Sequence, residues 1–233
     1  MISAMQLTYL SHSCFLVETS AHRLLIDPFF TGNPLAKTKA DQIECDFILV
    51  SHGHEDHLGD AVPIAKRTDA TIISNFEVCM ACAKEGAKNI HPMNPGGAWQ
   101  APFGRVKLTI AHHSSSRQTE NGFLYLGNPC GIVVTADGKT IYHAGDTGLF
   151  LDMKLIGELD AIDAALLPAG DNFTMGIDDA VMAAGFLKAK LAIPMHYNTF
   201  DLIKMDPRVF EQKAAAAKIR AKVMQVGEKI EIA

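Results

Sequence analysis

The segment DFILVSHGHEDHLGD, residues 46–60, constrains this chain more than any other. Its first part is a short, uninterrupted apolar run, the pattern of a strand buried on both faces. Its second part sets His52, His54, Asp56 and His57 on a tight turn between that strand and the next helix. Four side chains able to ligate a metal thus fall within six residues. Imidazole nitrogens and a carboxylate suit Zn²⁺ and similar divalent ions. Gly53, between the first two histidines, predicts a bend that lets both rings converge.

The flanking sequence predicts a two-part α/β chain. Residues 6–10, 14–18 and 23–26 read as a meander of short strands, and a loop over 29–41 leads into the buried strand. A helix is predicted over 58–66, a strand over 70–74, a helix capped by Asn75 and ending near Gly86, and a strand over 89–93. The second half opens with strands at 106–111, 122–126, 131–135 and 140–143, the last two joined by an Asp137-Gly138 hairpin turn. A strand over 161–168, a helix over 177–189 capped near Thr174, a strand over 191–195 and an Ala-rich helix over 206–219 follow. Strands over 221–226 and 229–232 end the chain. Each half contributes strands and then strand–helix units, which predicts two similar layers packed face to face with helices outside, an αββα sandwich. No linker or low-complexity tract divides it, so residues 1–233 are expected to form one domain.

Further candidate ligands stand at strand ends, where α/β proteins concentrate functional groups. The strand VKLTIA runs into His112 and His113, of which one can follow it into the site. TIYHAGDTG delivers Asp146 between two glycines, and LAIPMHYNTF delivers His196.

The run SHGHEDHLGD resembles the HxHxDH signature of the metallo-β-lactamase superfamily. That resemblance selects His113 over His112. It implies one metal held by His52, His54 and His113, a second held by Asp56, His57 and His196, and Asp146 bridging them. LIDPF with Asp27, YHAGDTGLF over 142–150, GDNFTMG over 170–176 and PMHYNTF over 194–200 are similar to a narrower group, the cytoplasmic metal-dependent hydrolases related to ascorbate-6-phosphate lactonase. The resemblance runs from SHSC at 11–14 to VGEKIEI at 226–232. It implies hydrolysis by a metal-activated hydroxide of a small ester, lactone or phosphoester. Two divalent ions per chain are expected, Zn or Mn first, with Ni, Fe or Co as alternatives. Asp56 is expected to act catalytically, orienting the water and passing its proton to the leaving group.

Four residues are expected around that centre. Asp27 is placed to hydrogen-bond a ligand imidazole and fix its tautomer. The resemblance places His12 at the edge of the cleft, where it would donate to substrate or to a developing oxyanion, with a structural hydrogen bond as the competing role. Asp171 and Asn172 are placed in a loop lining the site, with helix capping as the competing role.

Composition narrows the alternatives. A formal net charge of −5 without runs of like charge disfavours a nucleic-acid partner, and with it a metal-dependent nuclease. A non-haem di-iron redox enzyme is the other alternative. Apolar runs such as 47–50 fall far short of the roughly 20 residues a membrane span requires. The N-terminal MISAMQLTYLSHSC lacks the features of an export signal, so a cytoplasmic location, a small-molecule substrate and a possible homo-oligomer are expected. The five cysteines form no disulfide framework, and the Cys79-x-x-Cys82 pair falls in a helix, where core packing is expected.

Overall fold

The computed structural model describes residues 5–233. The first four residues, part of the N-terminal stretch read above, lie outside them. Three antiparallel strands come first: β1 (Gln6–Ser11), β2 (Cys14–Glu18) and β3 (Arg23–Ile26). Parallel strand–helix units follow, with β4 (Phe47–Leu49), α1 (Glu55–Leu58), α2 (Ala61–Thr68), β5 (Thr71–Asn75), α3 (Phe76–Lys84) and β6 (Ile90–Met93). The second half holds β7 (Ala98–Ala101), β8 (Gly104–Ile110), a hairpin of β9 (Ser116–Thr119) and β10 (Gly122–Tyr125), β11 (Cys130–Ala136) and β12 (Lys139–His143). It closes with α4 (Met153–Leu159), β13 (Ala164–Pro168), α5 (Ile177–Phe186), β14 (Leu191–Met195), α6 (Pro207–Ala216) and β15 (Lys229–Glu231).

These strands form one sheet in the order β15-β1-β2-β3-β4-β5-β6 and another in the order β14-β13-β12-β11-β8-β7, with β9 and β10 as a separate ribbon. Alternation along the central strands explains their continuous apolar sequence. Phe47 and Leu49 face the second sheet, while Ile48 and Val50 face α2 and α3. In β13, Leu166 faces the first sheet and Ala165 and Leu167 face α4, α5 and α6. Three apolar layers separated by two sheets give the expected αββα order.

Several local readings hold. Asn75 caps α3 by accepting a hydrogen bond from the Val78 N–H, and Asp137 and Gly138 both take positive φ in the β11–β12 turn. Cys79 and Cys82 pack in the core, where burial raises both thiols to about 12. Among the described residues no helix is long and apolar enough to cross a membrane.

Others are corrected. The helix predicted over 58–66 is two helices, broken where Gly59 takes φ +33° and where any Cβ would lie 2.3 Å from the Pro28 carbonyl oxygen. The strand predicted over 221–226 is a single bridge, Ala221 to Ala192. The chain pairs there with the edge of one sheet and by Gly227 is already bonded to Tyr9 of the other, so it crosses between sheets rather than following β14. The second-half helices end earlier than predicted, because Lys188 and Lys218 reverse the chain with positive φ, and α5 is preceded by Gly176 with no side-chain cap. Strands β7 and β9 and helix α4 were not predicted; each is short.

Leu166 lies fully buried between the sheets, whereas Leu155 on α4 is exposed. Leu166→Ala is expected to destabilise the protein by ~2–5 kcal/mol in chemical denaturation, and Leu155→Ala to stay within ~0.5 kcal/mol of the parent.

Candidate metal centre

The ends of β1, β3, β4, β8, β12 and β14 meet at one edge of the sandwich, and each delivers part of a His/Asp cluster there. His52, His54, Asp56 and His57 follow β4, His113 follows β8, Asp146 follows β12 and His196 follows β14. Three overlapping groups of potential ligand atoms result: His52, His54 and His113; His52, His57 and Asp146; and His12, Asp56, His57 and His196. Asp146 is their meeting point. Its Oδ2 lies 3.0 Å from His196 Nε2, 3.2 Å from His57 Nε2, 3.6 Å from His113 Nε2 and 4.0 Å from His52 Nε2.

Hydrogen bonds behind the rings fix which nitrogens face inward. The buried Asp27 carboxylate accepts from the Ser51 N–H (2.7 Å), the Ser51 hydroxyl (2.6 Å) and His57 Nδ1 (2.7 Å). With its own hydrogen committed to Asp27, the Ser51 hydroxyl accepts from His52 Nδ1 (2.9 Å). One carboxylate thus sets the tautomers of two imidazoles and turns the Nε2 lone pair of each toward the cluster. Ser51 was missed in the sequence; its place between the strand and His52 was the available signal.

The donor set fits a metal. His57 Nε2, Asp146 Oδ1 and both ring nitrogens of His196 are buried and lack any aligned hydrogen-bond partner among the described residues, although His57 and His196 lie within 3.2 Å of Asp146 Oδ2. An imidazole lone pair and a carboxylate oxygen at that distance repel unless a cation stands between them. Burial holds His52, His54 and His113 below the ordinary imidazole value, so these rings are neutral and able to ligate. Burial opposes the charge on Asp146 and Asp56, but His196 and His57 around the first, and His57 and His12 around the second, hold both carboxyls well below their usual range. Burial likewise opposes protonation of His57 and His196, yet Asp146 raises the first and brings the second to about 9.

Of the two roles open to His12, the structure gives it the structural hydrogen bond. The ring is fully buried behind Asp56 rather than placed at the cleft edge. Its Nε2 donates to Asp56 Oδ2 (3.1 Å), and its Nδ1 accepts from the Thr199 hydroxyl (2.9 Å). Burial and His196 push its pKa down to about 4, consistent with that neutral tautomer. Three residues of this rim have left-handed backbone, with φ 58° at His12, 45° at Asp27 and 55° at His196. Such strain persists where surrounding bonds fix the chain, and the His196 N–H donating to the His12 carbonyl (2.9 Å) is one of them.

The structure brings His113 into the cluster and leaves His112 outside it, its ring edge-on to Phe150. Asp171 and Asn172 are not brought in. Both are exposed, with positive φ, and Asp171 Oδ1 accepts from the Asn172 N–H in a turn of their own. They do not cap α5 either, whose N-cap is Gly176. Gly53 lies in the expected bend before α1 and also permits a close approach, since a Cβ there would lie 2.5 Å from Leu126 Cδ1.

Comparison with known proteins agrees with this geometry. Residues 6–196 match the family model of the β-lactamase superfamily domain. A UPF0173 metal-dependent hydrolase of Pelotomaculum thermopropionicum is 51% identical over 98% of this chain and 100% of its own length. Another, of Anoxybacillus flavithermus, is 50% identical over 98% of this chain and 100% of its own. The solved structure of Igni18, a metallo hydrolase from Ignicoccus hospitalis, superposes with a TM-score of 0.88 at 40% identity, covering 97% of each chain.

Replacing His113 by Ala is expected to weaken Zn²⁺ binding at least ~10-fold, and Asp27→Asn to weaken it ~10–100-fold by releasing His57 and Ser51. His112→Ala leaves it unchanged. Competition with a chromogenic chelator measures all three, and equal losses at His112 and His113 would contradict the assignment.

Proposed function

Because the chain belongs to the UPF0173 metal-dependent hydrolases of the β-lactamase superfamily, we propose that it hydrolyses a small ester, lactone or phosphoester at a binuclear centre. The position of Asp146 Oδ2, within 4.0 Å of four imidazole nitrogens, carries this reading. His52, His54 and His113 would hold one divalent ion, Asp56, His57 and His196 the other, and Asp146 would be shared, with Zn²⁺ or Mn²⁺ as the occupants. Bound there, two divalent ions supply an acidified water and polarise the carbonyl or phosphoryl oxygen under attack.

The remaining work falls to the chain's own groups. Asp56 is the carboxylate of the cluster that reaches solvent, with a quarter of its side chain exposed, and it lines the adjoining cavity. Held anionic, it accepts a hydrogen bond from the attacking water and aims it. His12 and Thr199 fix the Asp56 carboxylate from behind, so its orientation does not depend on substrate. Asp27 and Ser51 do the same for His52 and His57. The five cysteines are all buried, so no thiol nucleophile is offered to a substrate.

Protein loaded with Zn²⁺ or Mn²⁺ is expected to hydrolyse at least one of three generic substrates: an aryl ester, a lactone or a phosphodiester. Asp56→Asn is expected to lower kcat by ~10²–10⁴ while leaving the circular dichroism spectrum unchanged. Bound iron with no hydrolysis in any class, or full activity in Asp56→Asn, contradicts the proposal.

A further inference from the structure

A cavity of about 550 Å³ opens beside Asp56. Its apolar wall is made by Phe29, Phe200 and Leu58. The two phenyl rings lie 6.1 Å apart, and each meets the His12 ring edge-on at 5.5 Å. The imidazole that fixes Asp56 therefore also supports the aromatic wall. Phe200 is held in place from its C-terminal side, where the Ile203 N–H donates to the Phe200 carbonyl (3.2 Å) and the Ile203 side chain is fully buried.

Away from the metal centre itself, the side chains of this cavity leave no uncommitted cation. Asp60 is saturated, accepting from the Phe30 N–H (2.9 Å), the Thr31 N–H (2.9 Å) and the Thr31 hydroxyl (2.6 Å). Arg117, the cation in the lining, is already paired with Glu85. Glu55 stands exposed at the rim and makes no ion pair among the described residues. An anionic group seated on this wall, beyond reach of the metal ions, meets Glu55 and Asp60 against one guanidinium that is already paired. Recognition of a carboxylate or phosphate by side chains uses an uncommitted Arg fork or Lys ammonium, which is missing from this wall.

We infer that this cavity receives the non-reacting part of the substrate, and that this part is uncharged and apolar, an alkyl or aryl group packed on Phe200 and Phe29. The inference rests on the hydrolytic reading of the cluster and narrows it. The reacting bond lies at Asp56, and selectivity for what is attached to it comes from the aromatic wall. A carboxylate tail loses its hydration without gaining a partner in this wall, and an ammonium tail gains only the solvent-screened Glu55, since Asp60 is saturated and Asp56 belongs to the metal centre, whereas an alkyl tail trades water for ring and methyl surfaces.

The test is binding, so it does not depend on turnover. Three N-butyl amides with matched six-carbon acyl chains, derived from hexanoic, adipic and 6-aminohexanoic acids, end in a methyl, a carboxylate and an ammonium. Calorimetric titration into Zn²⁺-loaded protein is expected to show the methyl-terminated amide binding at least about tenfold more tightly than either charged one. Phe200→Ala is expected to lose about tenfold for that amide and Phe200→Leu to recover most of it, with zinc content and Tm unchanged in both. Equal or tighter binding of the carboxylate or ammonium amide overturns the inference, as does unchanged binding in Phe200→Ala. If the methyl-terminated amide binds through Phe200 but 4-nitrophenyl hexanoate is not hydrolysed, the hydrolytic reading falls and the cavity assignment stands.

Discussion

Two carboxylates and five imidazoles are packed at one edge of this sandwich with too few partners of their own. Asp146 is buried with one oxygen unpartnered and the other crowded by ring nitrogens. A buried anion in that setting costs several kcal/mol unless positive charge is brought to it. Within the chain the nearest relief is a proton on His57 or His196, which is the direction in which both groups are shifted. A divalent ion relieves the same repulsion more completely and leaves the imidazoles as neutral ligands. The backbone strain at His12, Asp27 and His196 is tolerated for the same placement of groups.

The two sheets are tied together at this rim as well as through the core. The Cys130 N–H donates to the Ser51 carbonyl (3.0 Å), His143 Nε2 donates to the Ser13 carbonyl (2.9 Å), and the His196 N–H donates to the His12 carbonyl. Each bond joins an element of one sheet to an element carrying cluster residues on the other. Ligands from β4 and ligands from β8, β12 and β14 therefore keep their spacing as long as the sheets stay docked. Precision at the cluster depends on apolar packing some distance from it, on residues such as Leu49, Ile132 and Leu166.

Much of this was legible in the sequence, for identifiable reasons. The apolar run before His52 announced a strand covered on both faces, and the layer order followed from strand–helix alternation in each half. The His/Asp cluster was legible because chemically distinctive residues stand at strand ends. What escaped was set by tertiary contact. For His12 the sequence left a substrate-facing role and a structural hydrogen bond open, and only the fold, with Asp56 and Thr199 closing over it, decides for the second. Gly53 sits in the bend its sequence position announced, but the second reason for its size, the approach of Leu126 from a segment far along the chain, was not legible. Asp171 and Asn172 have the composition of a binding loop and instead bond to their own turn. The aromatic wall of Phe29 and Phe200 joins residues distant in sequence, and no local pattern brings them together.

The central claim is that the cluster is one centre for two ions sharing Asp146. Anomalous diffraction from a Zn²⁺-loaded crystal, collected on both sides of the zinc edge, tests it most directly. The account predicts two zinc peaks flanking the Asp146 carboxylate, about 3.5–4 Å apart, one against His52, His54 and His113 and the other against Asp56, His57 and His196. A single peak, or zinc bound away from Asp146, would contradict it.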